Sequence, residues 1–179
     1  MKKLSNFIIE KFRLSKDNIN QYNYQPKTKK ELKELIKKLI IERGYEADLN
    51  DIDTSEITDM SYLFNYKELV NFRGDISEWD VSNVKDMSWM FTYSKFNGDI
   101  SNWDVSKAED MQYMFYDSEF NGDISKWDVS NVKNFDCMFT WAENFNCNLN
   151  NWKINKNVSM KNMFDSCQLQ DNPPAWYKE

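Results

Sequence analysis

Residues 74–97 read GDISEWDVSNVKDMSWMFTYSKFN, and two further copies follow without a gap: GDISNWDVSKAEDMQYMFYDSEFN at 98–121 and GDISKWDVSNVKNFDCMFTWAENFN at 122–146. A degenerate copy, CNLNNWKINKNVSMKNMFDSCQL, covers 147–169, and a partial copy, LNDIDTSEITDMSYLFNYKEL, covers 49–69. Self-similarity at a fixed period is the signature of a repeat architecture in which each unit stacks on its neighbours. The sequence therefore predicts five stacked turns of one unit.

Each unit carries apolar residues at fixed positions. In the 74–97 copy they are Ile76, Trp79, Val81, Met87, Met90, Phe91 and Phe96. The stretch 76–81 contains the one-in-two spacing of a strand, and Met87, Met90 and Phe91 have the i, i+3, i+4 spacing of a helix face. We therefore predict an α/β fold, a solenoid of about five strand–turn–short-helix units with a narrow parallel sheet. The alignment also places Leu69 of the partial copy in the column of Phe96, where a column means equivalent positions in successive units.

The two ends differ from the repeats and divide the chain into three parts. We predict an N-terminal helical cap at 1–48, the repeat solenoid at 49–170 and a C-terminal cap or tail at 171–179. In the tail, Trp176 follows two prolines and is expected to cover the last open core layer. A single unit cannot bury enough apolar surface to fold alone, so both ends of such a stack need covers.

The N-terminal cap contains a predicted amphipathic helix at 28–43. Thr28 and Glu31 form a capping box, and Gly44 stands where a C-terminal cap belongs. The apolar stripe of this helix consists of Leu32, Leu35, Ile36, Leu39 and Ile40. A shorter element is predicted at 4–12, with Leu4, Phe7, Ile8 and Phe12. The alternative reading is a basic arm for nucleic acid or an anionic membrane, but the helix lysines alternate with Glu31 and Glu34 as on a solvated face.

Composition excludes several classes of function. The chain has no histidine, which removes the side chain best suited to proton transfer near neutral pH and the commonest metal ligand. Its three cysteines, Cys137, Cys147 and Cys167, contain no CxxC pair, so we expect reduced thiols and no zinc site. No nucleophile elbow or phosphate-binding glycine loop is present either. The sequence predicts a protein that is not an enzyme and has neither a cofactor nor a metal site.

Charge and hydropathy bear on location and partners. Residues 1–44 hold twelve Lys/Arg against five Asp/Glu, whereas the remaining residues hold eleven against twenty-four. The apolar run Phe7-Ile8-Ile9 is interrupted by Glu10 and Lys11 and is followed by no small-residue cleavage site, and no stretch is long enough to span a membrane. We expect a cytoplasmic protein without a membrane partner, and a monomer or small oligomer because both ends are capped.

Two columns of aspartate allow alternative interpretations. One consists of Asp75, Asp99 and Asp123, and the other of Asp80, Asp104 and Asp128. Stacked carboxylates could supply oxygen ligands to calcium. Aspartate also accepts backbone N–H bonds at turns, and a serine follows each of these residues at the second position. We favour turn capping, because the motif has neither the length nor the spacing of a known calcium loop.

Large aromatic residues occupy positions that vary between units and are predicted to point outward. They are Tyr62, Tyr66, Trp89, Tyr93, Tyr113, Tyr116 and Trp141. Exposed tyrosine and tryptophan are enriched in the energetic centres of interfaces. The alternative is that they stack along the solenoid and cover the stems of charged neighbours. We take them as the candidate partner-binding surface.

The run GDIS-x-WDVS-[NK]-[VA]-x-[DN]-[MF]-x-x-MF resembles the BspA-like leucine-rich-repeat surface proteins, which are abundant in mycoplasmas and gut bacteria. The resemblance covers residues 49–169 and rests on Trp-Asp-Val-Ser and Met-Phe elements that recur at fixed offsets. It implies a leucine-rich-repeat-like solenoid and roles in adhesion and protein binding. Without the export signal and lipid-attachment cysteine of the surface members, the chain is more similar to cytosolic members carried by bacteria, prophages and mobile elements.

Two functional hypotheses follow. The first is a cytosolic protein-binding module that uses the aromatic surface, with acidic surroundings that steer encounter with a basic patch on a protein partner. The second is an acidic, mobile-element- or phage-encoded inhibitor that occupies the nucleic-acid-binding groove of a host or defence protein. Direct nucleic-acid binding is disfavoured, because the basic N-terminal segment would work against an acidic body.

Overall fold

A computed structural model describes residues 22–178 of the chain. Within them the structure has one α-helix, α1 at Lys29–Arg43. Over the same residues β structure is confined to six isolated parallel bridges, so there is no extended strand and no sheet. The predicted α/β, leucine-rich-repeat-like solenoid of strand–turn–short-helix units is therefore wrong. The predicted element at 4–12 lies outside the described residues.

The segment around Met87 and Phe91 is not a helix, because alternate N–H groups bond to the next unit and those between them close short turns, such as Ser94 to Phe91 at 3.0 Å. The N–H groups of Met87, Trp89 and Phe91 donate to carbonyls of the following unit at 2.9, 3.0 and 2.9 Å. Trp89 and Tyr93 have φ values of 60° and 59°, which no right-handed helix permits. The i, i+3, i+4 spacing therefore marks buried side chains on a chain of successive turns.

The segment 76–81 is not a strand, because it is built from tight turns. The N–H of Trp79 donates to the carbonyl of Ile76 at 3.1 Å, and the N–H of Val84 donates to that of Val81 at 2.9 Å. Each turn is preceded by an aspartate whose carboxylate accepts the N–H two residues further on, as Asp75 does from Ser77 at 2.9 Å. Such side-chain bonds offer the backbone an alternative to a strand ladder.

Successive units are nevertheless stacked in register. A row of parallel bridges passes through five units, at Asp59, Asp86, Asp110, Asn134 and Ser159. Indole N–H groups add a second row, since Trp79, Trp103 and Trp127 each donate to a carbonyl of the preceding unit at 3.0–3.2 Å. Because most of these bonds join different units, the units depend on one another for their backbone hydrogen bonding.

The interior is a continuous apolar core with parallel stacks of phenylalanine rings. Phe91, Phe115 and Phe139 stack with centroids 5.6 and 5.7 Å apart and planes within 6°. All seven apolar positions of the 74–97 copy are buried, as predicted. One assignment was wrong: Phe72, not Leu69, stacks on Phe96 at 6.1 Å. The first unit therefore has three extra residues between its two core phenylalanines.

Helix α1 covers the first unit as an N-terminal cap. Thr28 accepts the Glu31 N–H at 3.2 Å, and the N–H of Gly44 donates to Ile40 at 2.8 Å. The predicted stripe of five apolar residues is buried. The Glu31 carboxylate accepts the N–H of Lys27 at 2.9 Å, one residue before the position expected for a capping box.

At the other end, Trp176 extends the tryptophan column by one position. Its indole N–H donates to the carbonyl of Leu149 at 2.8 Å, and its ring stacks on Trp152 with centroids 6.1 Å apart. It therefore covers the last core layer as predicted.

Candidate functional site

Six of the seven predicted aromatic residues form one surface cluster, which we call the aromatic ridge. Its members are Tyr62, Trp89, Tyr93, Tyr113, Tyr116 and Trp141. Trp89 is sandwiched between Tyr62 at 5.5 Å and Tyr113 at 4.0 Å, with planes within 13°. Tyr116 then joins Tyr113 to Trp141 at 5.4 and 5.5 Å, and Tyr93 packs edge-on against Tyr116 at 5.7 Å. The ridge thus runs without interruption across four units.

The backbone holds most of these rings in an uncommon conformation. Tyr62, Trp89, Tyr93, Tyr113 and Trp141 all have φ between 55° and 60°. The left-handed region costs an ordinary residue about 1–2 kcal/mol and favours glycine or asparagine. Here the stack imposes it, because the N–H groups at these positions must point to the next unit. Large aromatic residues therefore occupy sites where small polar residues would be less strained.

The exposure of the ridge is graded. Tyr62, Tyr93 and Trp141 are 46%, 53% and 50% exposed, whereas Trp89, Tyr113 and Tyr116 are half-buried between neighbouring rings. The rings therefore stack along the repeat and still present faces and edges to solvent, and partner binding by this surface stays a prediction.

Tyr66 does not join the ridge. It is 50% exposed, and its ring lies under the ammonium groups of Lys33 and Lys37 of α1, at 4.8 and 4.6 Å. Lys33 also donates to the carbonyl of Tyr62 at 3.1 Å. These cation–π contacts connect the basic face of α1 to the first unit. Tyr66 therefore has a structural role at the N-terminal end of the ridge.

Two residues that were not predicted from the sequence, Cys137 and Asp117, lie beside the ridge at positions equivalent to those of its aromatic residues. Cys137 follows Tyr62, Trp89 and Tyr113 in one column and has a φ of 55°. A hydrogen bond with its thiol raises the pKa of Tyr113 to about 12. Burial, followed by neighbouring charges, also raises the pKa of Tyr116. Both phenols are therefore uncharged at neutral pH.

The aspartate columns act as turn caps, as we favoured. The carboxylates of Asp99, Asp104 and Asp123 accept the N–H of the serine two residues on, at 2.9, 3.0 and 2.9 Å. Hydrogen bonds from these serines lower the pKa of all three aspartates. Within residues 22–178, no three His, Cys, Asp or Glu side chains are grouped to hold a metal ion.

The cysteines are free thiols in the structure. Burial raises the pKa of Cys147 and Cys167, so both are protonated near neutral pH. In the described part of the chain, no helix combines the length and apolar character needed to cross a membrane.

Comparisons with known proteins give one family. A model of the family described as "Mycoplasma protein of unknown function, DUF285" matches the chain twice, over residues 30–119 and 66–176. The two matches overlap, as expected for a repeat that can be aligned in more than one register. No curated protein and no solved structure matches the chain.

Proposed function

The chain belongs to the DUF285 family, whose description names no activity, and we propose that it is a non-enzymatic protein-binding module that contacts its partner through the aromatic ridge. We place this activity in the cytoplasm. The repeat motif resembles that of the BspA-like proteins, and this resemblance supports binding of another protein as the role.

One observation carries the proposal: five large aromatic residues occupy left-handed backbone positions on one surface. Equivalent positions hold Asn162 and Ser166 in the last unit, so the stack itself accepts small polar residues there. Strained conformations cluster at functional sites, where the arrangement has a use beyond stability. Half-exposed tryptophan and tyrosine with restricted rotation bind partners at low entropic cost. The ridge is therefore a preorganised contact surface.

A double variant, Trp89→Asn with Tyr113→Asn, tests the proposal. Asparagine is the residue at Asn162 in the same column, so the backbone conformation is retained. A photo-crosslinking residue at position 93 should form protein adducts in a lysate of the source cells, whereas the same residue at exposed Tyr45, outside the ridge, should not. The double variant should weaken capture about 30-fold, which corresponds to removal of one interface hot spot.

The outcomes are distinct. Loss of the position-93 adducts in the double variant, together with unchanged thermal unfolding, supports the ridge as the binding surface. Identical adducts from positions 93 and 45, or capture unaffected by the double variant, would refute it. A purified partner identified from the adducts then gives the dissociation constant directly.

A second candidate function is an inhibitor that occupies a nucleic-acid-binding groove. The exposed columns containing Asp99, Asp104, Asp123 and Asp128 favour it, because turn hydrogen bonds keep these carboxylates ionised well below neutral pH. Such an inhibitor should compete with DNA or RNA for its target, and its affinity should fall steeply with salt. Affinity independent of salt would exclude this mode.

A further inference from the structure

A small cleft opens beside the aromatic ridge and is lined by Tyr93 and Trp141. Its volume is about 220 Å³, below the range of about 300–1,000 Å³ that is usual for small-molecule sites. Asp117, Ser118, Glu119 and Glu143 also line it. A space of this size suits one inserted side chain better than a metabolite.

The two aromatic walls are held apart by the repeat itself. Tyr93, Asp117 and Trp141 occupy one column in three successive units, and each N–H donates to the next unit at 2.8–2.9 Å. With a rise of about 4.8 Å per unit, the backbones carrying the two rings are about 10 Å apart. Tyr116 contacts both rings, at 5.7 and 5.5 Å, and closes one side. Because the middle unit carries aspartate instead of an aromatic residue, a gap remains there.

The polar groups of the cleft favour a cation. Three carboxylates, those of Asp117, Glu119 and Glu143, line it together with one ammonium group, that of Lys95. The Ser118 hydroxyl is buried and has no hydrogen-bond partner among the described residues. Aromatic faces beside carboxylates attract cations through the ring quadrupole and the opposite charge. An arginine side chain can interact with the aromatic rings and with the carboxylates, since its planar guanidinium stacks on rings and donates hydrogen bonds to carboxylates and hydroxyl groups.

We propose that this cleft binds an arginine side chain of the partner protein, with its guanidinium stacked on the ring of Trp141 and hydrogen-bonded to Asp117. The inference rests on the proposed protein-binding role of the ridge and adds the chemical identity of the anchor. Lysine should bind less well, because its ammonium group has no planar face to stack.

The test uses the full chain labelled with ¹⁵N and the capped peptide Gly-Gly-Arg-Gly-Gly. We expect saturable shifts of the Trp141 indole N–H and the Asp117 and Ser118 amides, with a dissociation constant on the order of 1 mM for a single anchored side chain. A peptide with neutral citrulline in place of arginine should bind at least tenfold more weakly. Asp117→Asn keeps the left-handed backbone position and should weaken the arginine peptide about tenfold.

Matched controls separate the cleft from general effects. Trp141→Asn should abolish the response, whereas Tyr45→Ala, at an exposed tyrosine outside the ridge, should leave it unchanged. Equal binding of arginine and citrulline peptides, equal binding of a lysine peptide, an unaffected Asp117→Asn variant, or no saturable shift would each overturn the assignment.

The two proposals can fail separately. A partner that is released by Trp89→Asn with Tyr113→Asn, but binds Asp117→Asn normally, contradicts the arginine anchor and leaves the ridge as the binding surface. Peptide binding in the cleft, with a partner that ignores the ridge variants, contradicts the ridge and leaves the cleft as an arginine site.

Discussion

Alanine substitution at the first glycine of each repeat should have unequal effects, although Gly74, Gly98 and Gly122 open three nearly identical GDIS segments. A Cβ at Gly122 would lie 2.6 Å from the Phe120 ring and 3.6 Å from the nearest backbone oxygen. A Cβ at Gly74 would lie 2.0 Å from the carbonyl oxygen of Ala47. The ring can adjust slightly, but the carbonyl belongs to the junction between α1 and the first unit.

The magnitude follows from the hydrogen bonds at this junction. Relief of the clash at Gly74 requires a shift of about 1 Å, which disrupts the bond from the Asp75 N–H to Ala47 at 3.1 Å and the adjacent bond from Arg73 to Tyr45 at 2.8 Å. Loss of these two hydrogen bonds costs about 2 kcal/mol, and overpacking against the carbonyl and the Phe72 ring, 2.7 Å from the added Cβ, brings the total to about 4 kcal/mol. Gly122→Ala should cost about 1 kcal/mol, since overpacking against the ring is partly offset by the lower entropy of the unfolded chain.

Urea denaturation followed by tryptophan fluorescence measures both variants. With a slope of about 2 kcal/mol/M, the midpoint should fall by about 2 M for Gly74→Ala and by about 0.5 M for Gly122→Ala. Gly98→Ala is the matched control, because its Cβ would meet the Phe96 ring at 2.7 Å and a backbone oxygen only at 3.4 Å. If Gly74→Ala lowers the midpoint no more than Gly122→Ala, the argument from the helix junction is refuted.

Three further predictions concern single interactions. Trp103→Phe removes the indole bond to the Ile76 carbonyl at 3.2 Å and should lower the free energy of unfolding by about 2 kcal/mol in urea titrations. Burial, with nearby carboxylates, raises the pKa of Asp110, so its ionisation costs stability as pH rises through that pKa. Asp110→Asn introduces the residue found at the equivalent position of the next unit, Asn134. This variant should raise the melting temperature at pH 7 but not below about pH 3.9, where the wild-type carboxyl group is protonated in both the folded and the unfolded chain. An equal gain in melting temperature at the two pH values would refute the prediction. Thr28→Ala removes the N-cap of α1 and should lower the free energy of unfolding, measured by calorimetry, by about 1 kcal/mol. An unchanged free energy of unfolding would exclude a capping role for Thr28.

The periodicity of the sequence was sufficient to predict the repeat, its buried positions and α1. These follow from local chemistry, because apolar spacing and capping residues act within a few positions of one another. The turn-capping role of Asp99 and Asp123 could be predicted for the same reason, since each carboxylate bonds a backbone N–H only two residues away. The aromatic ridge was also identified from the sequence, except that Tyr66 packs under the lysines of α1.

The backbone conformation of the units was not predictable from the same patterns. The i, i+3, i+4 spacing at Met87, Met90 and Phe91 satisfies a helix and a series of turns equally, and the choice depends on where the peptide groups find partners. In the folded protein the partners of Met87, Trp89 and Phe91 lie one unit away, 23 residues further along the chain. The tertiary stack alone therefore decided that these residues form no helix, that Trp89 and Tyr93 adopt positive φ, and that a cleft opens where Asp117 separates two rings. By itself, the sequence determined which side chains are buried and that the units repeat; bonding between the units determined the path of the backbone.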